Sequence, residues 1–315
     1  MAEIMATRNA YGQTLAKMGD KYPELICFDA DLAGATMTKF FKEAHPEQFY
    51  DMGIAESNMQ GAAAGMAACG MKPFTNSFAM FAAGRSFEQV RNSIAYPKLN
   101  VKIVGSHGGL SVGEDGATHQ CIEDFALMRA IPGMTVLCPC DCNEMRLAVE
   151  ALVEYEGPAY MRSGRNPVET VTDTIEGYRF EIGKGAVLRD GTDVTIIANG
   201  IMVQMALAAA EQLQMKDLSV RVIDMHTIKP LDQELVVKAA RDTGAIVTTE
   251  EHTVLGGLGS AVAECCSQNC PIPVIRHGVN DEFGRSGKAE EVLKCYGLTP
   301  EVLMEKVKKA VSMKK

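Results

Sequence analysis

Val101-Lys102-Ile103-Val104 is a short β-branched run followed at once by Gly105-Ser106-His107-Gly108-Gly109-Leu110-Ser111-Val112-Gly113-Glu114-Asp115-Gly116-Ala117-Thr118-His119-Gln120. The run reads as a buried strand. The polar, glycine-rich stretch after it reads as a loop, and residues 119–129 return to helical spacing. In open α/β sheets ligands bind beyond the carboxyl ends of the strands. Glycines there let the backbone turn tightly and approach a ligand. His107, Asp115 and His119 are therefore candidate functional side chains. Their spacing matches no standard zinc pattern, and no metal ligand is assigned to this chain.

The same alternation of strand and helix runs outward in both directions. Strands are expected at 25–28, 73–78, 135–137 and 159–162, with helices at 56–69 and 84–95. A further helix after Asn143, its expected cap, carries Met145, Val149, Leu152 and Val153 on one face. A second series follows, with strands at 194–198, 220–224, 245–249 and 274–277 and helices at 202–213, 232–242 and 259–268. Between the two series the chain is richer in Gly, Pro, Thr and Asp. The expected fold class is α/β with two open-sheet βα domains, at 1–170 and 191–315, joined by a linker at 171–190. A length of 315 residues suits two domains.

Composition excludes several classes. The net charge is −9, which disfavours a nucleic-acid coat. No apolar run approaches a membrane span of about 18–20 residues. The first residues lack a basic region followed by an apolar core, so a cytoplasmic location is expected. The ten cysteines lie inside apolar runs, and reduced thiols are the better reading. Cys138-Pro139-Cys140-Asp141-Cys142 has C-x-C spacing with no second pair at zinc-ribbon distance, so structural thiols are expected. No Walker A motif, G-x-S-x-G elbow or H-E-x-x-H motif is present, and the glycines at 256–259 do not complete a dinucleotide fingerprint.

Asp51-Met52-Gly53-Ile54-Ala55-Glu56-Ser57-Asn58-Met59 is a second candidate. Here Glu56 opens a helix of small residues. Taken with Phe78 to Gly84, Arg162 and above all Val112 to Gln120, these motifs resemble the C-terminal half of transketolase, in their expected order and over essentially the whole chain. The resemblance implies a thiamine-diphosphate pyrimidine-binding domain followed by a transketolase C-terminal domain. It also implies reversible transfer of a two-carbon ketol unit from a ketose phosphate to an aldose phosphate.

By the same resemblance, Glu56 contacts N1′ of the thiamine aminopyrimidine, where a carboxylic acid favours the 4′-imino tautomer and activates the cofactor. Phe78 and Phe81 pack on or beside the pyrimidine. His107 and His119 contact substrate oxygens, Asp115 and Asp31 meet the sugar, and Arg8 and Arg162 bind its phosphate. The hydroxyl residue expected for phosphate contact is replaced by Ala35, which admits a sugar with another anionic end. Thiamine enzymes hold diphosphate and Mg²⁺ through a G-D-G segment, and none occurs in this sequence. The resemblance thus implies Mg²⁺ ligands on an N-terminal partner subunit, in an assembly of two copies of each.

Three other readings remain open. They are a deoxyxylulose-phosphate synthase half, disfavoured by His107; a 2-oxo-acid dehydrogenase β subunit, disfavoured by the Gly113–Gln120 loop; and a non-catalytic scaffold, disfavoured by Glu56, His107 and His119.

Overall fold

The computed structural model describes residues 3–314. Strand β1 (Ile4–Ala6) leads into helix α1 (Thr7–Gly19) and pairs antiparallel with β8 (Pro167–Glu169). Between them lies a sheet formed by β2 (Leu25–Asp29), β3 (Phe49–Asp51), β4 (Lys72–Phe78), β5 (Lys102–Ser106), β6 (Thr135–Leu137) and β7 (Ala159–Ser163). A seventh strand, β12 (Thr227–Lys229), arrives from the second half of the chain. The order is β12-β6-β7-β5-β4-β2-β3, parallel except for β12 on β6. Strands β2, β5 and β7 are buried along their whole length, as expected when helices cover both faces of a parallel sheet. Those helices include α2 (Ala33–Thr36), α3 (Lys39–Ala44), α4 (Glu56–Ala68), α5 (Phe87–Gln89), α6 (Asp124–Ala130) and α7 (Cys142–Glu154).

The second sheet contains β9 (Ala186–Arg189), β10 (Val194–Ala198), β11 (Val220–Asp224), β13 (Ile246–Thr253) and β14 (Val274–Val279), in the order β14-β13-β10-β11-β9. Only β9 runs antiparallel, on β11. Helices α8 (Met202–Gln214), α9 (Gln233–Thr243), α10 (Leu258–Asn269), α11 (Ala289–Cys295) and α12 (Pro300–Ser312) pack around it. Among the described residues no helix is long and apolar enough to cross a membrane.

The expected α/β architecture is present, with local differences. The helix expected over 119–129 begins only at Asp124. The backbone before it is used elsewhere, because Cys121 accepts from the Gly109 amide at 2.7 Å. Asp141, not Asn143, caps α7. Its carboxylate accepts from the Glu144 amide at 2.9 Å and from the Val171 and Thr172 amides at 2.8 Å each. The helix expected at 84–95 is the latter part of a run over 80–95, in which two π-helical segments flank α5. The 171–190 segment is not a plain tether: it holds a 3₁₀ turn at Thr172–Thr174 and ends in β9. All ten cysteines are free. Cys138, Cys140 and Cys142 are buried, and burial pushes their thiols up, as suits packing rather than reactivity.

A buried ion pair marks where the halves meet. Arg162, near the end of β7, donates from Nε to Asp124 Oδ2 at 2.8 Å and from Nη2 to Asp124 Oδ1. Its Nη1 reaches the Glu251 carbonyl of β13 at 3.1 Å, and its guanidinium lies 3.8 Å above the Phe125 ring. Tyr160 also donates to Asp124, at 2.7 Å. Burial alone would raise the Asp124 pKa, but the Arg162 charge and hydrogen bonds outweigh it and hold it below the usual range. Removing one partner of such a pair strands the other charge in a dry interior. Arg162→Met should therefore cost about 3–5 kcal/mol, read as a lower denaturation midpoint. Arg162→Met/Asp124→Leu should recover much of that loss, and equal stability of the single and double variants would contradict this.

Candidate active site

The site grows from the parallel register. Phe78 pairs with Ser106, and Ser106 with Ser163, so the carboxyl ends of β4, β5 and β7 lie side by side. His107 is the first residue past β5. It adopts a left-handed backbone with φ of 57°, a conformation uncommon for a residue with a Cβ and typical of sites that hold strain. Its amide donates to the Ser163 carbonyl at 3.0 Å. The turn passes so close to β7 that a Cβ on Gly108 would meet Arg162 Nε at 2.4 Å.

The histidine's protonation follows from its partners. Arg8 Nη1 lies 3.3 Å from His107 Nε2. A guanidinium can only donate, so Nε2 accepts and the proton sits on Nδ1, 2.7 Å from Ser106 Oγ. Burial, then the charges of Arg8 and Arg165 and the neighbouring His119, push the His107 pKa down to about 3. It is a neutral side chain in a positive setting.

Around it is an aromatic wall. The Phe78 ring lies 4.2 Å from His107 and 6.2 Å from Phe81, centroid to centroid. His119 meets Phe81 edge-on at 5.3 Å and Phe78 at 6.0 Å. Its Nδ1 pairs with Thr118 Oγ1 at 2.9 Å, which leaves Nε2 for a ligand. Phe78 is buried, whereas Phe81 and His119 are partly open to solvent.

Glu56 is the first residue of α4 and is 2% exposed. Arg85 bridges both its oxygens, at 2.9 and 2.8 Å from Nη1, and stacks its guanidinium 4.3 Å above Phe81. Arg85 is itself 47% exposed on its side chain. Among the described residues, then, the one ionic partner of this buried carboxylate comes from the solvent side. The run from Glu56 through Arg85 and Phe81 to His119, and from Phe78 through His107 to Arg8, is one connected surface.

Other expected residues fall as follows. Arg8 donates to the Ala35 carbonyl at 2.8 Å, so the position lacking a hydroxyl still faces this guanidinium through its backbone. Asp31 is exposed, with φ of 62°, and its amide donates to Asp51 Oδ1 at 3.1 Å. Asp115 is exposed on the loop that carries His119. Arg162 is not available as a phosphate ligand: it is 3% exposed, and its guanidinium is engaged by Asp124 and backbone carbonyls. Arg165, three residues on, stays accessible, and the sequence motifs do not single it out. Arg165 is partly exposed, donates to the Val112 carbonyl, and lies 3.3 Å from Glu114. Its charge is felt at both Arg8 and His107.

The donor set fits a flat heteroaromatic cofactor: a buried carboxylate for a ring nitrogen, a phenylalanine face for the ring, and histidines beside the reacting end. Among the described residues one group of three potential metal ligands converges, Cys140, Glu144 and Asp224, and none of them is a residue of this surface.

Comparisons with known proteins place the chain in a family. The transketolase pyrimidine-binding domain model matches residues 3–170, and the transketolase C-terminal domain model matches residues 183–303. The 6-deoxy-6-sulfo-D-fructose transketolase subunit SqwH of Clostridium sp. strain MSTE9 is 44% identical over 93% of this chain and 90% of its own. An apulose-4-phosphate transketolase subunit of Phocaeicola vulgatus is 40% identical over 95% of each. A solved structure described as a split gene transketolase, inactive beta4 tetramer, superposes with a TM-score of 0.92 at 50% identity, covering 99% of this chain and all of that one. On the strength of both domain matches and the near full-length relatives, this chain belongs to the transketolase family.

Proposed function

We propose that this chain is the C-terminal subunit of a thiamine-diphosphate-dependent transketolase, transferring a two-carbon ketol unit between sugars with an anionic end. The observation that carries the reading is the juxtaposition of buried Glu56 with the Phe78, Phe81, His107 and His119 wall. Thiamine diphosphate, when bound, supplies a nucleophilic carbon and an electron sink for breaking and re-forming a carbon–carbon bond. Glu56 holds a proton at the pyrimidine N1′. Phe78 and Phe81 orient the ring and exclude water. His107 accepts at Nε2 from a sugar hydroxyl in place of Arg8, and His119 Nε2 exchanges protons with the substrate oxygens. Arg8 and Arg165 receive the anionic tail, and Asp31 and Asp115 read sugar hydroxyls.

The partner is an N-terminal subunit that supplies the diphosphate and Mg²⁺ ligands, in an assembly of two copies of each. A split-gene relative and relatives described as subunits support this. Those relatives are described as acting on a sulfonated and a phosphorylated sugar, and the two guanidiniums suit either tail.

Three measurements test this reading in the assembled enzyme. Glu56→Gln should lower turnover by about 10²–10⁴-fold with the fold retained by circular dichroism, and near-wild-type turnover would contradict it. Arg165→Gln should raise KM for phosphorylated or sulfonated ketoses by about tenfold or more and leave KM for a neutral ketose unchanged. An equal effect on both would remove Arg165 from the tail site. With a pKa lowered to about 3, His107 should be neutral from about pH 5 upward. Its imidazole signals in a nitrogen-15 titration should stay flat from pH 5 to 9 (about two units above that value), so a limb assigned to His107 in that window would refute its assignment as a neutral acceptor.

A further inference from the structure

The histidines of the site stand on a loop that the other half of the chain holds in place. Ser111, in the 3₁₀ turn Leu110–Asp115, spends its donors on one residue. Its amide donates to Glu251 Oε2 at 2.8 Å and its hydroxyl to Glu251 Oε1 at 2.9 Å. Its carbonyl accepts from Asn166 at 2.9 Å. Glu251 sits on β13 of the second sheet and is 6% exposed. Its own carbonyl accepts from Arg162, so this one residue ties both the loop and β7 to the second half. The fit is close. Gly109 has φ of 80°, and a Cβ there would lie 2.2 Å from the Glu251 carboxyl carbon, so any larger residue would displace the clamp. A second tie lies at the far end of the loop, where Gln120 donates to the Arg285 carbonyl at 2.9 Å and to the Gly113 carbonyl at 3.0 Å.

We infer that Glu251 is a positioning residue, whose carboxylate holds Ser111 and thereby fixes His107 and His119 at the distance the substrate needs. The second domain then acts as a template for the substrate loop rather than as packing alone. A carboxylate accepting two hydrogen bonds, one from a backbone amide, is among the stronger uncharged-donor contacts available to a loop. A misplacement of about an ångström at reacting groups costs about a hundredfold in rate.

The inference rests on the transketolase reading for its kinetic arm only, so the test has two readouts. Hydrogen exchange is measured on the chain alone, as wild type, Glu251→Gln, Glu251→Asp and Ser111→Ala. Ketol transfer is then measured with each variant assembled with its partner, thiamine diphosphate and Mg²⁺. In Glu251→Gln, exchange at 109–116 should rise about tenfold or more while α4 and β13 keep their protection. Ser111→Ala should give a smaller rise at the same amides, and Glu251→Asp should restore part of the protection. In the kinetic arm, kcat/KM should fall about tenfold or more, with half-saturation by thiamine diphosphate unchanged. Unaltered exchange at 109–116, or protection lost equally across α4 and β13, would overturn the clamp. A loosened loop in an assembly whose wild type transfers no ketol unit would leave the clamp standing and sink the transketolase reading instead.

Discussion

The parallel register of β4, β5 and β7 is the constraint on which the site depends. Because Phe78, Ser106 and Ser163 lie opposite one another, residues far apart in sequence are delivered to one edge at strand spacing of about 5 Å. A slip of one residue in any of these strands would turn its side chains to the other face. Phe78 would leave the wall and His107 would lose the Ser163 carbonyl. The burial of these strands, complete in β5 and β7 and broken only at Lys72 in β4, makes that slip costly, since each carries apolar groups on both faces.

Charge is distributed in the same economical way. Two arginines close to each other in sequence have opposite fates. Arg162 is taken into the interior and neutralised by Asp124, whereas Arg165 stays at the surface beside Arg8. The first fixes the two halves of the chain together. The second, although 3.3 Å from exposed Glu114, adds positive charge beside Arg8 and a neutral histidine, an arrangement that makes sense beside an anion. A chain with a net charge of −9 thus sets two arginines close to one neutral histidine, and the global balance carries no information about it.

Much of this was legible in the sequence. Glu56 opens a helix, His107 follows a strand and His119 lies in the same polar, glycine-rich loop, so local pattern locates them, whereas Phe78, at the end of β4, is singled out only by the resemblance. The choice between Arg162 and Arg165 was not legible. One lies near the end of β7 and the other just past it, and only packing against Asp124, 38 residues away in sequence, decides which one is desolvated. Arg85 is hidden because it lies in the 80–95 run, where π-helical turns shift side chains off the ordinary helical spacing. The role of β12 in completing the first sheet is hidden because the strand comes from the other half of the chain. Local propensity carries no information about such a crossing.

The central claim is that Glu56 faces the pyrimidine of thiamine diphosphate, and an experimental structure of the assembled enzyme with that cofactor tests it most directly. The account predicts a Glu56 oxygen within about 2.5–3.0 Å of N1′, the ring against Phe78 and Phe81, and Arg85 moved off at least one Glu56 oxygen. A pyrimidine bound elsewhere, with Arg85 still bridging both oxygens, would contradict it.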